Sequence, residues 1–85
     1  MELVGTFALC YVGGMTGTSI DNGLLQVGIT HGLVLGVMVY AGAHVSGGHY
    51  NPAVSLALMS IKKCPVIDAL LYMAFQFVGG ALAGL

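Results

Sequence analysis

The chain has 85 residues, of which 58% are hydrophobic and only 6% are Asp, Glu, Lys or Arg, and its formal net charge is −1. Ordinary soluble domains carry about 25% charged residues, so this composition excludes an ordinary soluble fold. The net charge leaves no basic patch for nucleic acid. The mean hydropathy of +0.97 instead predicts a protein that lies in a lipid bilayer.

The few charged residues divide the sequence into uncharged stretches that have the lengths of membrane crossings. Residues 3–20 and 69–85 each suit one crossing, which needs about 20 apolar residues. Residues 22–61 are too long for one crossing and too interrupted for two. The start Met1-Glu2 lacks the positive region of a signal peptide, so the first stretch is predicted to be a membrane helix.

Two spanning helices are predicted in the first half of the chain. The first covers about residues 3–20, because the polar turn after it contains Asn22-Gly23, a strong helix breaker. The second covers about residues 24–44, roughly 31 Å at 1.5 Å per residue, which is one full crossing. Glycines recur in it at every fourth position: Gly28, Gly32 and Gly36. This stripe would let another helix approach closely.

The helical pattern breaks at Ser46-Gly47-Gly48-His49-Tyr50-Asn51-Pro52. Two glycines and a residue that precedes proline disfavour helix. The break nevertheless lies in an uncharged stretch. Irregular backbone at membrane depth is tolerated only where it is buried in protein or lines a water-filled cavity. The segment is therefore the first sign of a pore.

A short helix is predicted to restart at Pro52, so that loop and helix together occupy about residues 45–61. Asn51 is a good N-cap, and proline suits the first helical position. About ten residues span roughly 15 Å, half of a ~30 Å hydrocarbon core, which predicts a re-entrant half-helix. A third spanning helix is predicted over about residues 66–85.

Lys62-Lys63 contains the only basic residues and sets the expected orientation. Positive residues mark the cytoplasmic side, so this end of the loop is predicted to be cytoplasmic and Asp21 to lie outside. Two cysteines, Cys10 and Cys64, do not make a disulfide framework, and no metal site is expected.

Three blocks of the sequence resemble the aquaporin and aquaglyceroporin (major intrinsic protein) family. His44-Val45-Ser46-Gly47-Gly48-His49-Tyr50-Asn51-Pro52-Ala53-Val54 resembles the family's first Asn-Pro-Ala loop. Glu2-Leu3-Val4-Gly5-Thr6-Phe7 is similar to its first-helix opening, and Gln76-Phe77-Val78-Gly79-Gly80 to its third helix. The resemblance covers essentially the whole chain. It implies an all-α membrane protein, one aquaporin-like repeat of three transmembrane helices with a re-entrant half-helix.

The family's architecture implies that this chain needs partners. Two inverted repeats surround one pore in the family, and each brings an Asn-Pro-Ala motif to the midplane. The chain holds one such motif, so a second repeat with its filter arginine is expected for a complete pore, and the chain is expected to be a fragment or half-gene product. A homotetramer is expected for the complete protein. The implied permeants are water and small neutral solutes such as ammonia, urea, glycerol or peroxide, with no cofactor.

The implied pore residues begin with the motif Asn51-Pro52-Ala53. Asn51 would donate its side-chain N–H to the oxygen of a passing water. Four consecutive backbone carbonyls would accept hydrogen bonds from permeants: those of Gly47, Gly48, His49 and Tyr50. The half-helix dipole places about +0.5 charge at the same end, which repels hydronium and metal cations. Passage needs no covalent chemistry, so the chain is not expected to be an enzyme and has no catalytic residue.

His31 lies 20 residues before Asn51, where the family places a member of its narrow selectivity filter. The resemblance implies that a histidine there admits ammonia, urea or peroxide besides water. A packed or capping histidine is the alternative. Leu35 and Val54 would supply apolar pore wall.

Three further residues are expected to support the loop. The resemblance makes Glu2 a buried acceptor for loop N–H groups, the alternative being a water-facing charge at a helix end. His44 is expected to tie down the loop, and Gln76 to support it from the third helix. The side chain of His49 is expected at the pore mouth, with a structural role as the alternative.

Two hypotheses from other classes stay open at this point. Repeats of secondary transporters also use broken helices at the midplane, but their sites usually need a charged group at depth, and residues 22–61 contain none. A non-conducting helical fragment that associates with other membrane chains is the second. A second Asn-Pro-Ala followed by arginine downstream would favour the channel.

Overall fold

A computed structural model describes residues 1–18, 21 and 23–85 of the chain, and they form four α-helices. In chain order the helices are α1 (Glu2–Gly17), α2 (Leu24–Ser46), α3 (Pro52–Ser60) and α4 (Val66–Gly84). The described residues contain no strand. The all-helical class predicted from the sequence is confirmed for this part of the chain.

Two helices are long and apolar enough to cross a membrane. They are α2 with 23 residues and α4 with 19, each with a mean hydropathy of 1.7. The long axis of the molecule measures 43 Å, which matches a bilayer with its headgroups, about 40–45 Å thick. These dimensions agree with helices that run across the bilayer.

α1 is shorter than the helix predicted over residues 3–20. Its 16 described residues span roughly 24 Å, less than the ~30 Å hydrocarbon core. The predicted end at Ile20 and Asn22 of the predicted breaker lie outside the described residues. A crossing by α1 therefore stays a prediction.

α2 extends two residues beyond its predicted end at residue 44. Its C-cap is Gly47, whose φ of 89° is left-handed and whose N–H donates to the carbonyl of Ala43 at 2.9 Å. Glycine adopts this conformation without a steric penalty, so the helix ends here rather than at the preceding Ser46. The irregular segment between α2 and α3 is consequently only five residues long, 47–51.

α1 lies between α2 and α4 and packs against both, while α3 packs against α4. α1 and α4 approach closely because Gly79 of α4 faces the backbone of α1. A Cβ added at Gly79 would overlap the carbonyl oxygen of Leu3 and press on the amide of Phe7. The two helices run in the same direction, and their contact places the start of α1 beside Gln76.

The interior of the described part is mostly polar. Its buried polar or charged residues are Glu2, Thr6, Ser55 and Gln76, whereas its buried hydrophobic residues are Tyr50 and Ala69. Large apolar side chains are exposed along the outside of α2 and α4, as at Leu24, which is 94% exposed. Such a distribution suits a lipid environment, where apolar side chains face the lipid and polar groups need partners inside the protein.

Candidate pore loop and its carboxylate anchor

The loop between α2 and α3 combines left-handed and extended backbone. Gly47, Gly48 and Tyr50 have φ values of 89°, 67° and 52°. Glycine tolerates positive φ, but a bulky residue such as tyrosine rarely adopts it. Asn51 is extended, with φ of −157°. None of the five residues between α2 and α3 is therefore helical.

Asn51 caps the N-terminus of α3. Its side-chain Oδ1 accepts a hydrogen bond from the N–H of Ala53 at 2.8 Å, and Pro52 occupies the first helical position. The Asn51 side chain is exposed. With Oδ1 engaged by the helix, Nδ2 is the atom of this amide that can donate to a molecule outside the chain.

The carboxylate of Glu2 is buried, with 4% of the residue exposed, and it accepts four hydrogen bonds. Oε1 accepts from the Ser46 hydroxyl at 2.7 Å and from the His49 N–H at 3.1 Å. Oε2 accepts from the Tyr50 N–H and from Gln76 Nε2, each at 2.7 Å. A carboxylate has about four lone-pair sites, so these donors saturate it. Glu2 thus joins the start of α1 to the end of α2, the loop and α4.

Glu2 also sets the direction of two loop carbonyls. In a trans peptide the C=O of one residue points opposite to the N–H of the next. The peptide bonds described here include no cis bond. Since the N–H groups of His49 and Tyr50 point at the carboxylate, the carbonyls of Gly48 and His49 point away from it. Within the described residues, no hydrogen bond ends on the carbonyls of residues 47–50.

A second set of contacts ties the loop to α3 and α4. Gln76 Nε2 also donates to Ser55 Oγ at 3.0 Å, and this hydroxyl shares a hydrogen bond with His49 Nδ1 at 2.9 Å. The imidazole of His49 meets the ring of Tyr72 edge-on, with centroids 5.0 Å apart. The His49 side chain is therefore engaged by the protein itself.

Sequence reasoning missed three members of this arrangement: Ser46, Ser55 and Tyr72. Ser55 had a signal in the sequence, because it lies four residues after the N-cap Asn51 and so lies one turn into the half-helix. Ser46 stands beside the Gly-Gly break. For Tyr72 we find no local signal, since its role depends on how α4 packs.

The proposed filter residue His31 lies apart from this loop. Its Nδ1 is 2.8 Å from the carbonyl of Val27, and because a carbonyl only accepts, Nδ1 carries a proton. The ring lies against α1, where a Cβ at Gly13 would overlap it. Along α2, His31 is about 16 Å from Gly42, which contacts the loop.

The remaining predicted residues lie on exposed surface. Leu35 on α2 and Val54 on α3 are 38% and 40% exposed. His44 is exposed on α2, and within the described residues its ring makes no hydrogen bond. The structure therefore brings Glu2 and Gln76 together with the loop and leaves these three apart from that cluster.

The fold and the anchored loop define the class of all-helical membrane proteins, and comparison with known proteins gives the family. A family model described as Major intrinsic protein matches residues 1–85. The chain therefore belongs to the major intrinsic protein family and is an integral membrane protein. No solved structure matches it.

Curated relatives come from bacteria, plants and rodents. The chain is 35% identical to Glycerol uptake facilitator protein-like 6 of Lactiplantibacillus plantarum, over 96% of this chain and 38% of that protein. It is 49% identical to Aquaporin TIP4-4 of Zea mays, over 72% of this chain and 24% of that protein. It is 38% identical to Nodulin-26 of Glycine max, over 96% of this chain and 32% of that protein. The chain thus spans between 24% and 38% of the length of these relatives.

Proposed function

We propose that the chain forms one half of a membrane channel that passes water and small neutral solutes passively. The observation that carries this proposal is the Glu2 anchor, which directs the carbonyls of Gly48 and His49 away from the protein interior. Acceptors that the chain itself does not use can serve a file of water molecules. The names of the relatives, aquaporin and glycerol uptake facilitator, support the same class of permeants.

Selection in the proposed channel follows from donors and acceptors at fixed positions. Asn51 Nδ2 donates to the oxygen of a permeant, and the carbonyls of residues 47–50 accept its hydrogens. The N-terminus of α3 adds about +0.5 charge at Asn51, which disfavours cations but not neutral water. Leu35 and Val54 supply apolar wall, so that a solute does not bind too tightly to leave.

His31 tunes solute choice in this proposal. Because Nδ1 donates to the Val27 carbonyl, the neutral imidazole offers Nε2 as an acceptor. An acceptor at a narrow point suits permeants that carry N–H or O–H groups, such as ammonia, urea or peroxide. This function requires the ring to leave its contact with Gly13 in the complete pore.

The proposed topology has α1 as a third crossing, α3 as a re-entrant half-helix, and Lys62 with Cys64 in the cytoplasm. A second, inverted repeat supplies the other half of the pore wall, and complete protomers form a tetramer. An ion-coupled transporter would need a free charged group at depth. Glu2 does not serve as one, because its four hydrogen bonds already saturate it.

Substitution of Asn51 tests the proposal in a paired channel, by which we mean this chain combined with a second repeat from the family. Asn51→Leu removes both the cap and the donor, whereas Asn51→Ser keeps a capping oxygen and a hydroxyl donor. Loss of the cap costs about 1 kcal/mol, so protein should still reach the membrane.

Water permeability per channel is measured by stopped-flow light scattering of proteoliposomes, and proton leak by a pH-sensitive dye. We expect several-fold lower water flux with leucine at position 51 and near-normal flux with serine. Unchanged flux and unchanged proton exclusion in Asn51→Leu would show that Asn51 is not a pore residue.

A further inference from the structure

The side chain of Tyr50 has no role in the channel as described so far, although its backbone carbonyl does. It lies at the tip of the irregular loop yet is 1% exposed. Its φ of 52° is one that bulky residues rarely adopt. An unfavourable backbone conformation persists only where surrounding contacts impose it, and such residues cluster at functional sites. The contacts of its ring show what imposes it.

Two glycines from different helices form a socket for this ring. A Cβ added at Gly5 of α1 would overlap the ring carbons of Tyr50. A Cβ added at Gly42 of α2 would overlap the hydroxyl oxygen, lie 3.3 Å from the ring carbon that carries it, and press on the flexible end of the Met1 side chain at 2.7 Å. The hydroxyl donates to the carbonyl of Met38 at 2.8 Å, one turn before Gly42 on the same helix. The socket therefore matches tyrosine in both shape and hydrogen bonding.

The socket constrains the same peptide plane that Glu2 holds. The Tyr50 N–H donates to Glu2 Oε2, and this plane carries the His49 carbonyl. A single hydrogen bond still lets this plane tilt, because N–H···O bonds tolerate bending of about 30° from linear, and a tilt changes the direction of the carbonyl. A ring seated between α1 and α2 fixes the Cα of Tyr50 as well, which opposes the tilt.

We propose that Tyr50 is a positioning residue whose side chain, held by Gly5 and Gly42, fixes the direction of the His49 carbonyl. Its effect on transport rests on the channel function proposed above. The direction of the carbonyl does not, and it is measurable without any flux.

The test uses a chain with ¹³C at the His49 carbonyl, combined with a second repeat in oriented bilayers. Polarised infrared spectroscopy then reports the angle between this carbonyl and the membrane normal. In Gly42→Ala the new methyl meets the hydroxyl and displaces the ring, so we expect a changed angle and several-fold lower water flux.

Removing the hydroxyl supplies the rescue. In Gly42→Ala with Tyr50→Phe, the oxygen that the methyl would overlap is absent, and the remaining close atom, Met1 Cε, ends a flexible side chain that can move aside. We expect the angle and the flux to return towards those of the parent. Gly5→Ala is the matched counterpart, because its methyl meets ring carbons that phenylalanine retains. Tyr50→Phe should therefore not rescue Gly5→Ala.

The test also works if Gly42→Ala folds poorly. In that case the helical content, measured by circular dichroism, should recover in the double variant. If the carbonyl angle and the helical content of Gly42→Ala are the same with tyrosine and with phenylalanine at position 50, the proposal is overturned. An unchanged carbonyl angle in a folded Gly42→Ala protein overturns it too. A changed and rescued angle without any effect on flux supports the socket and contradicts the channel function instead.

Discussion

The hydrogen-bonded cluster around Glu2, which anchors the loop, and the middle of α2 differ in the contacts that the chain itself makes with them. At the anchor, Glu2, Gln76 and Ser55 supply partners to one another and to the loop. In the middle of α2, a Cβ added at Gly28, Gly32 or Gly36 would meet nothing within 4 Å. A single repeat thus forms the hydrogen bonds of Glu2 that shape its loop, although the buried Gln76 Oε1 has no partner among the described residues. It leaves a face of its second helix without a neighbour there.

This contrast separates two requirements of a channel. The direction of the loop carbonyls depends on buried hydrogen bonds. A buried polar group without a partner is costly, and in this chain the donors and the acceptor all belong to one repeat. Helix packing in lipid depends on close approach between small residues, which a second chain can supply. We therefore expect variants of the anchor to damage the repeat itself, and variants of the α2 glycines to damage only its assembly.

The largest effect is expected from Glu2. Glu2→Ala leaves the four donors of the anchor without their acceptor, and each buried unsatisfied group costs about 1–3 kcal/mol, so the free energy of unfolding should fall by about 4 kcal/mol or more. Glu2→Gln keeps one oxygen as an acceptor but turns an amide NH₂ donor towards two of the partners, which are donors themselves. Its free energy of unfolding should therefore lie between those of the parent and Glu2→Ala. Thermal unfolding of the chain combined with a second repeat, followed by circular dichroism, gives the order of the three proteins.

Asp68→Ala is the matched control for this series. Asp68 is an exposed acid in the first turn of α4. Surface substitutions usually change stability by less than about 0.5 kcal/mol, and we expect the same here. If Glu2→Ala were no more harmful than Asp68→Ala, the anchor would not hold the loop.

A smaller and different effect is expected from Gly32. A Cβ at Gly32 would meet nothing among the described residues, and leucine favours helix over glycine by up to about 1 kcal/mol, so Gly32→Leu should not lower the helical content of the chain alone. The larger side chain should oppose close approach of a second repeat by about 1–3 kcal/mol, as overpacking does in protein cores, which lowers association by about 5-fold to 150-fold. Fluorescence energy transfer between labelled repeats in bilayers measures this association.

Gly32→Ala calibrates the result, because alanine still permits close packing. A loss of stability in the isolated chain, with association unaffected, would reverse the contrast between the two regions.

The smallest effect is expected at the end of α3. Lys62 has a left-handed φ of 61°, and the N–H groups of Lys62 and Lys63 donate to the carbonyls of Met59 and Leu58 at 3.0 and 2.9 Å. This is the Schellman arrangement, in which glycine is the preferred residue. Lys62→Gly should therefore stabilise the chain by about 0.5–1 kcal/mol, measurable as a higher unfolding temperature.

Lys63→Gly serves as the comparison, since Lys63 is not left-handed. If Lys62→Gly and Lys63→Gly raised the unfolding temperature equally, the gain would not come from relief of the left-handed backbone at Lys62.

Local signals in the sequence predicted the parts of the structure that local chemistry determines. The four helices, the break after α2 and the Asn51 cap depend on neighbouring residues, and all are present in the described chain. The loop was predicted to begin at about residue 45, whereas α2 continues to Ser46, because the left-handed capping conformation favours glycine and the first glycine after the helix is Gly47.

The contacts between distant segments were not predictable in the same way. The seat of Tyr50 between Gly5 and Gly42 and the contact of His49 with Tyr72 join residues far apart in the sequence. No spacing rule gives such pairs, since they depend on how α1 lies against α2 and α4. The Glu2 anchor was expected only through the family resemblance, because a lone glutamate at a helix start ordinarily faces water.

In the proposed channel this chain supplies half of a pore and needs a second repeat for the other half. The most direct measurement is the osmotic water permeability of proteoliposomes that contain the chain, a second repeat, or both at equal protein content. We predict that only the combination raises permeability above that of protein-free vesicles, and that the chain alone is oligomeric or aggregated in detergent. A monodisperse monomer of the chain that conducts water as well as the combination would contradict the account.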